Sequence, residues 1–215
     1  MSRILMIAAD GTSSGHLDYG RFRMLEEGYQ VTIAAPIKKP LQTVVHEMEE
    51  GLSSYIERPG YIIDADASLD EIDPATFDAL LLPGGRAPEY LRNNARCLEV
   101  VRHFVDADKP IGSICHSPLI LAAAVKGRRL TGVHIIKPDI VASGNTWVET
   151  RSEWVRDGNI VTTWVTPFYY VWIREFLAML NEHGIKPSSG DHDRRSAAEA
   201  RDKNHAAAFS IAASK

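Results

Sequence analysis

The stretch from Lys109 to Ala124 leaves this chain little choice of architecture. Ile111 to Ile114 are short, mostly apolar and led in by Pro110, the pattern of the end of a buried strand. Leu119 to Val125 are apolar and rich in strong helix formers, the pattern of a buried helix. Only Cys115, His116, Ser117 and Pro118 lie between them, with no room for a loop. The chain must turn sharply from strand to helix at the cysteine. This is the geometry of a nucleophile elbow, which lifts one side chain clear at the carboxyl end of a sheet. Cys115 also falls at a helix N-terminus, where free N–H groups and the dipole favour a thiolate. The competing reading is a buried structural cysteine beside an incidental histidine.

The rest of the chain supplies the sheet this elbow needs. Ile4 to Ala9 is a continuous apolar run, as expected of a strand covered on both faces. A polar turn from Asp10 to Gly15 follows, then a helix from His16 to Glu27 with Leu17, Phe22, Met24 and Leu25 inward, stopped by Gly28. Gln30 to Ala35 is a second apolar strand, so the opening strand, helix and strand imply a parallel pair with a right-handed crossover. Leu41 to Met48 and Tyr61 to Ile63 read as short strands, separated by Gly51 and a Pro59-Gly60 turn. Ser68 to Glu71 has the form of a capping box opening one turn of helix. Phe77 to Leu82 is another buried strand, and Ala95 to Asp106 is an amphipathic helix with Leu98, Val101, Phe104 and Val105 inward. Short strands are expected near Trp147 to Trp154 and at Ile160 to Thr163. Thr166-Pro167 caps a last helix that runs to Gly184. The sum is an α/β fold, a doubly wound, mostly parallel sheet sandwiched by helices, of flavodoxin-like form. Its ligand site belongs beyond the carboxyl ends of the strands.

A chain of 215 residues, with 45% hydrophobic and 24% charged residues, suits one α/β domain over residues 1–185. Residues 186–215 read as a linker and an alanine-rich, charged tail. The net charge of −4 gives no electrostatic footprint for nucleic acid. No apolar run is long enough to span a bilayer. The apolar N-terminus stops at Asp10 without a cleavage-type segment, so it reads as a strand rather than a signal peptide. Two cysteines make no disulfide framework, and a reduced, cytoplasmic protein is the simplest expectation.

In such a sheet Asp10, Gly84-Gly85 and Cys115 share one edge, because each follows a central strand. Nucleophilic attack by Cys115 on an electrophilic carbon is the chemistry this suggests. The N–H groups of Gly85 and His116 are candidates for an oxyanion hole. His116 is a candidate base that then needs an orienting carboxylate. The two glycines alone are equally compatible with a plain tight turn, and they lack a full phosphate-binding fingerprint. Asp10, His16 and His116 have no spacing that demands a metal. Cys97 reads as structural, and His46, His103, His183, His192 and His205 as solvated.

Ala79 to Glu89, with its Pro83-Gly84-Gly85-Arg86-Ala87-Pro88-Glu89, and Lys109 to His116 together resemble the PfpI-type intracellular protease family. That family belongs to the ThiJ/PfpI superfamily of class I glutamine-amidotransferase-like folds. The likeness runs in register through Leu25 to Gly28, Lys137 to Asp139, Asp157 to Asn159 and Trp172 to Phe176, over roughly residues 3–183. It implies Cys115 as nucleophile, His116 as its partner and Gly85 in the oxyanion hole. Glu89 is implied to orient the histidine of a neighbouring subunit, so that a homo-oligomer completes the site. No cofactor or metal is implied. Two positions depart from the family. Ser13 stands where a glutamate usually bonds the cysteine sulfur, and His16 where another acidic residue is common. Ser13 can donate a hydrogen bond but cannot store a proton as a carboxyl does. A tyrosine common near the site falls at Val133, next to His134. An arginine common after the late strand falls at Trp164, and Phe168 follows in place of a smaller or charged residue.

The expectation is therefore a cysteine-dependent hydrolase or hydratase acting on a carbonyl-like or nitrile-like carbon of a small molecule or peptide. Asp10, Ser13, His16, His134, Trp164 and Phe168 are expected around the substrate, in an aromatic pocket mouth or, equally, as core and oligomer contacts. The alternatives are a glyoxalase III or deglycase-like enzyme, a dedicated biosynthetic enzyme on the same scaffold, and a non-catalytic, redox-sensing protective protein.

Overall fold

The computed structural model describes residues 2–47, 49–150, 153–165 and 168–187. The chain opens with β1 (Arg3–Ile7), α1 (Ser14–Glu26), β2 (Gln30–Ala35), β3 (Pro40–Glu47), β4 (Ile56–Asp64) and β5 (Ala67–Ser68). It continues with β6 (Ala79–Leu82), α2 (Ala87–Leu91), α3 (Ala95–Asp106), β7 (Ile111–Ile114) and α4 (Pro118–Ala124). It closes with β8 (Arg129–Leu130), α5 (Lys137–Ala142), β9 (Thr146–Trp147), β10 (Trp154–Asp157), β11 (Ile160–Thr163) and α6 (Tyr169–Glu182).

Seven strands form one sheet in the order β10-β11-β7-β6-β1-β2-β5. Every neighbouring pair is parallel except β10 and β11. Residues alternate between the two faces. Ile4 and Met6 join Leu17 and Met24 of α1 and Trp172, Ile173 and Phe176 of α6. Leu5 and Ile7 join Val100, Val101 and Phe104 of α3 and Leu119 to Leu121 of α4. Both faces are covered, which is why β1 reads as an unbroken apolar run. The order reverses between β1 and β6, so their carboxyl ends and that of β7 frame a crevice at the switch point.

The structure corrects several local expectations. Phe22 and Leu25 are exposed, because the buried stripe of α1 runs through Leu17, Gly20 and Met24 at helical spacing. Pro59-Gly60 is no turn but part of β4, where Pro59 lies opposite Val44 in a two-stranded sheet with β3. A two-stranded sheet has only edges, where the missing proline N–H is tolerated. This hairpin stands apart from the main sheet and is tied to the loop after β1. Gly11 N–H donates to the Gln42 carbonyl at 2.8 Å and Val44 N–H to the Thr12 carbonyl at 2.9 Å. Glu71 accepts from the Ser68 N–H at 2.8 Å, as a capping box would, but no helix follows. Instead a single 3-10 turn forms at Pro74–Thr76. The short helices α2 and α5 were not expected.

The Thr166-Pro167 cap, the end of the strand expected to reach Met48, and the tail from residue 188 lie outside the described residues. Among the described residues, no helix is long and apolar enough to cross a membrane.

Candidate active site

The elbow forms as its sequence demands. Cys115 has φ +65°, a left-handed conformation that costs an L-residue about 1–2 kcal/mol. The surrounding backbone holds it there. Cys115 N–H donates to the Thr163 carbonyl of β11 at 3.1 Å, and its own carbonyl accepts from Val133 N–H at 3.0 Å. Beneath it the buried Ser117 hydroxyl ties the two central strands together. Its oxygen accepts from the Ile114 N–H at 2.7 Å and lies 2.7 Å from the Leu82 carbonyl. No local pattern signals this role, because serine is common beside any helix start.

Gly84 and Gly85 bring backbone against the cysteine. A methyl group on Gly84 would stand 2.6 Å from Cys115 Cβ and 3.0 Å from His16 Nδ1. Gly85 has φ +96° and bridges to Thr12, while Ser13 N–H donates to the Gly84 carbonyl at 3.0 Å. The Gly85 and His116 backbone N–H groups are close enough to the Cys115 sulfur to favour its charged form. These are the two donors expected of an oxyanion hole, and in the resting protein they face the thiol.

The electrostatics correct one expectation. Cys115 is 4% exposed, and burial pushes its thiol up to about 11 against the lowering effect of the Gly85 and His116 N–H bonds. Desolvation outweighs the start of α4, a helix of only seven residues. The resting group is therefore a thiol. His116 is its neutral partner. Burial, then His46 and Arg86, push its imidazole down to about 4, and Nδ1 lies 3.4 Å from the sulfur. Iodoacetamide labelling of Cys115 tests this. A thiolate fraction on the order of 10⁻³ to 10⁻⁴ near pH 7.5 should make labelling slow, with the rate climbing past pH 10. A plateau reached below pH 8 would contradict the assignment.

On the far side of His116, Glu89 Oε1 of the same chain lies 3.9 Å from Nε2. This approach is made within one chain. Arg86 bridges Glu89, at 3.1 Å, and Glu57, at 4.0 Å. Glu57 in turn lies 3.0 Å from His46 Nε2. The Tyr55 ring stands between the two histidines, 4.6 Å from His46 and 6.4 Å from His116, edge-on to the latter at 81°. His46 was expected to be solvated, yet its side chain is 14% exposed. Neither it nor Tyr55, Glu57 or Arg86 was singled out from sequence. The one available signal was hairpin register, which pairs His46 with Glu57, and the misplaced turn at Pro59-Gly60 hid it.

The other expected residues divide. His16 is fully buried beside Gly84, with Tyr169 and Trp172 edge-on at 6.1 and 6.4 Å. Burial, then His46 and His116, push its imidazole down to about 3. Ser13 is buried next to the glycines. Asp10 is held by Lys39 and by the Gln42 N–H at 2.9 Å, so it anchors the hairpin base as well as lining a cavity. Trp164 follows Thr163 at the same sheet edge but stacks on Phe168, 5.7 Å between centroids. His134 stacks on Trp147 at 5.7 Å and lies 3.6 Å from Glu149, in a surface group apart from Cys115. A cavity of about 510 Å³, a size suited to a small molecule, is lined by Ala9, Asp10, Gly11, Glu57, Arg86 and Tyr90 and by neither Cys115 nor His116. Among the described residues, no group of three or more His, Cys, Asp or Glu side chains is arranged to hold a metal ion.

This geometry has counterparts among known proteins. The DJ-1/PfpI family model matches residues 2–179. A protein of Pyrococcus abyssi named a deglycase is 38% identical over 180 residues, covering 83% of this chain and 99% of the relative. Drosophila melanogaster DJ-1beta has a crystal structure with a TM-score of 0.67 at 20% identity, covering 86% of this chain and 99% of that one. A two-domain protein of Anabaena variabilis, with DJ-1/ThiJ/PfpI-like and ferritin-like domains, gives a TM-score of 0.73 at 19% identity. The match covers 89% of this chain and 52% of that one. At these identities the two structures speak for the fold alone.

Proposed function

From the premise that the chain belongs to the DJ-1/PfpI family, we propose that it is a cysteine-dependent enzyme of the glyoxalase III and deglycase type. Its substrate class is a 2-oxoaldehyde, free or as the adduct with an amine or thiol. The observation that carries the reading is Cys115, held at φ +65° between two N–H donors and beside a neutral imidazole. The name of the Pyrococcus abyssi relative favours this chemistry over the hydrolase or hydratase reading that Ser13 suggested.

The steps balance without an external oxidant. The Cys115 thiol proton passes to His116 Nδ1 as sulfur bonds to the aldehyde carbon. The aldehyde oxygen takes the negative charge and accepts from the Gly85 and His116 N–H groups, which are most effective in a site closed to water. Glu89 faces the other nitrogen and stabilises the imidazolium. His116 returns its proton to the aldehyde oxygen, then takes the hydrogen on the attacked carbon as a proton and delivers it to the neighbouring carbonyl carbon, while the hydroxyl proton passes from the first oxygen to the second. The first carbon is thereby oxidised to a thioester and the second reduced to an alcohol. Water cleaves the thioester, giving a 2-hydroxy acid and the free thiol. With an adduct as substrate, sulfur displaces the amine or thiol, which leaves with the proton that His116 took from Cys115.

A redox-sensing role has less behind it, since sensor cysteines are exposed and thiolate-rich whereas Cys115 is buried and protonated. A homo-oligomer remains part of the proposal but enters none of the steps. The test is conversion of 2-oxopropanal to lactate. Cys115→Ala should lower turnover by about 10³-fold or more, and Glu89→Gln by roughly tenfold. No saturable turnover by the native protein, or undiminished turnover in Cys115→Ala, would sink the reading.

A further inference from the structure

The reaction has two reacting oxygens and the elbow serves only one. Gly85 and His116 N–H groups converge at the Cys115 sulfur, so they can receive the oxygen on the carbon that sulfur attacks. The second oxygen, on the neighbouring carbon, gains charge as the proton moves between carbons. Ser13 N–H is committed to the Gly84 carbonyl. His116 Nδ1 takes the thiol proton. The remaining side is roofed by the β3–β4 hairpin, whose Tyr55 ring lies edge-on to His116. We propose that Tyr55 is a further catalytic and specificity-determining residue, whose hydroxyl donates to the second oxygen and so selects vicinal dicarbonyls over simple aldehydes. The proposal rests on the reading of the preceding subsection and adds its substrate-selecting group.

Three observations converge on it. His46 packs against the Tyr55 ring at 4.6 Å and is itself held by Glu57 at 3.0 Å, so the ring is braced from the hairpin side. The ring centroid stands 6.4 Å from that of His116, the residue beside Cys115, and the phenol is near enough to Cys115, Glu57, Arg86 and Glu89 for their charges to act on it. Burial first, then Cys115 and Glu57, push the phenol up to about 12. It therefore stays a neutral donor at any working pH, the state a hydrogen-bond donor to a developing enolate needs. Arg86 opposes that shift but is already shared between Glu57 and Glu89.

The experiment measures protection of Cys115 from iodoacetamide at pH 9 by two probes of equal chain length, 2-oxopropanal and propanal. It uses the native protein and Tyr55→Phe, read by mass of the Cys115 peptide. The native protein should bind 2-oxopropanal more tightly, and Tyr55→Phe should lose about tenfold of that preference with propanal protection unchanged. Lactate formation is followed in parallel and should fall by a similar factor or more. If the preference is unchanged in Tyr55→Phe, the proposal is overturned. If protection by both probes falls equally, Tyr55 is only packing and the proposal is also overturned. If the preference is lost as expected but the native protein makes no lactate, Tyr55 keeps its role in dicarbonyl recognition. The glyoxalase reading alone then fails.

Discussion

Gly85→Ala is expected to lose roughly 3 kcal/mol or more of unfolding free energy, and with it all turnover. A Cβ at this position would overlap the Gly11 carbonyl oxygen and the Ser13 nitrogen and come within 2.9 Å of the Thr12 carbonyl carbon. These are backbone atoms, so no rotamer change relieves the overlap. They belong to the segment that closes the loop after β1 over the cysteine, so yielding would displace the site with the fold. Gly127→Ala is the matched control. It has φ +74° but no atom within 4 Å of the added carbon, so only the left-handed strain of about 1 kcal/mol applies. Urea unfolding of the two variants separates overlap from strain. Equal losses would mean that the loop after β1 relaxes freely, against the packing described here.

Acid should destabilise the protein through its buried histidines. The His16 imidazole is neutral in the folded chain down to about pH 3, whereas in an unfolded chain it titrates near 6.5. Between those values the unfolded state binds a proton that the folded state refuses, so stability falls as pH falls. It is fully present above about pH 6.5, and the loss saturates near the folded value. At about 1.4 kcal/mol per pH unit, His16 alone accounts for roughly 5 kcal/mol. His116 adds in the same direction over a narrower window, since its folded value is about 4. Unfolding free energies measured from pH 7 to pH 4.5 should fall more steeply in the native protein than in His16→Leu, by about one proton's worth of slope. Parallel lines would show that His16 takes up its proton in the folded state.

Much of this molecule is legible in its sequence. Two apolar strands flanking a helix, the Pro83-Gly84-Gly85 turn after a third strand and the strand-to-helix turn at Cys115 each carry a local signature. Such signatures rest on near-neighbour physics: both-face burial, positive φ and helix starts. The strand β2 and the helix α3 fall at their expected bounds for this reason. Local patterns were weakest where elements lean on distant ones. Pro59-Gly60 has the chemistry of a turn, yet pairing with β3 kept it extended. Phe22 is apolar, yet helical phase turned it to solvent.

The sequence by itself determined the fold class and the setting of Cys115, with the N–H groups of Gly85 and His116, at one sheet edge, because these follow from the order of residues along one strand, one turn and one helix. Only the tertiary structure decided the state and company of that cysteine. Whether Cys115 is thiolate or thiol depends on how deeply the sheet edge is covered, a sum over many remote atoms that no spacing reveals. Whether Glu89 reaches His116 within one chain depends on where α2 sets down beside the elbow. The roof of His46, Tyr55 and Glu57 comes from a hairpin folded back across the crevice. Its residues are some 60 positions from Cys115 in sequence, and only chain folding brings their chemistry to the site.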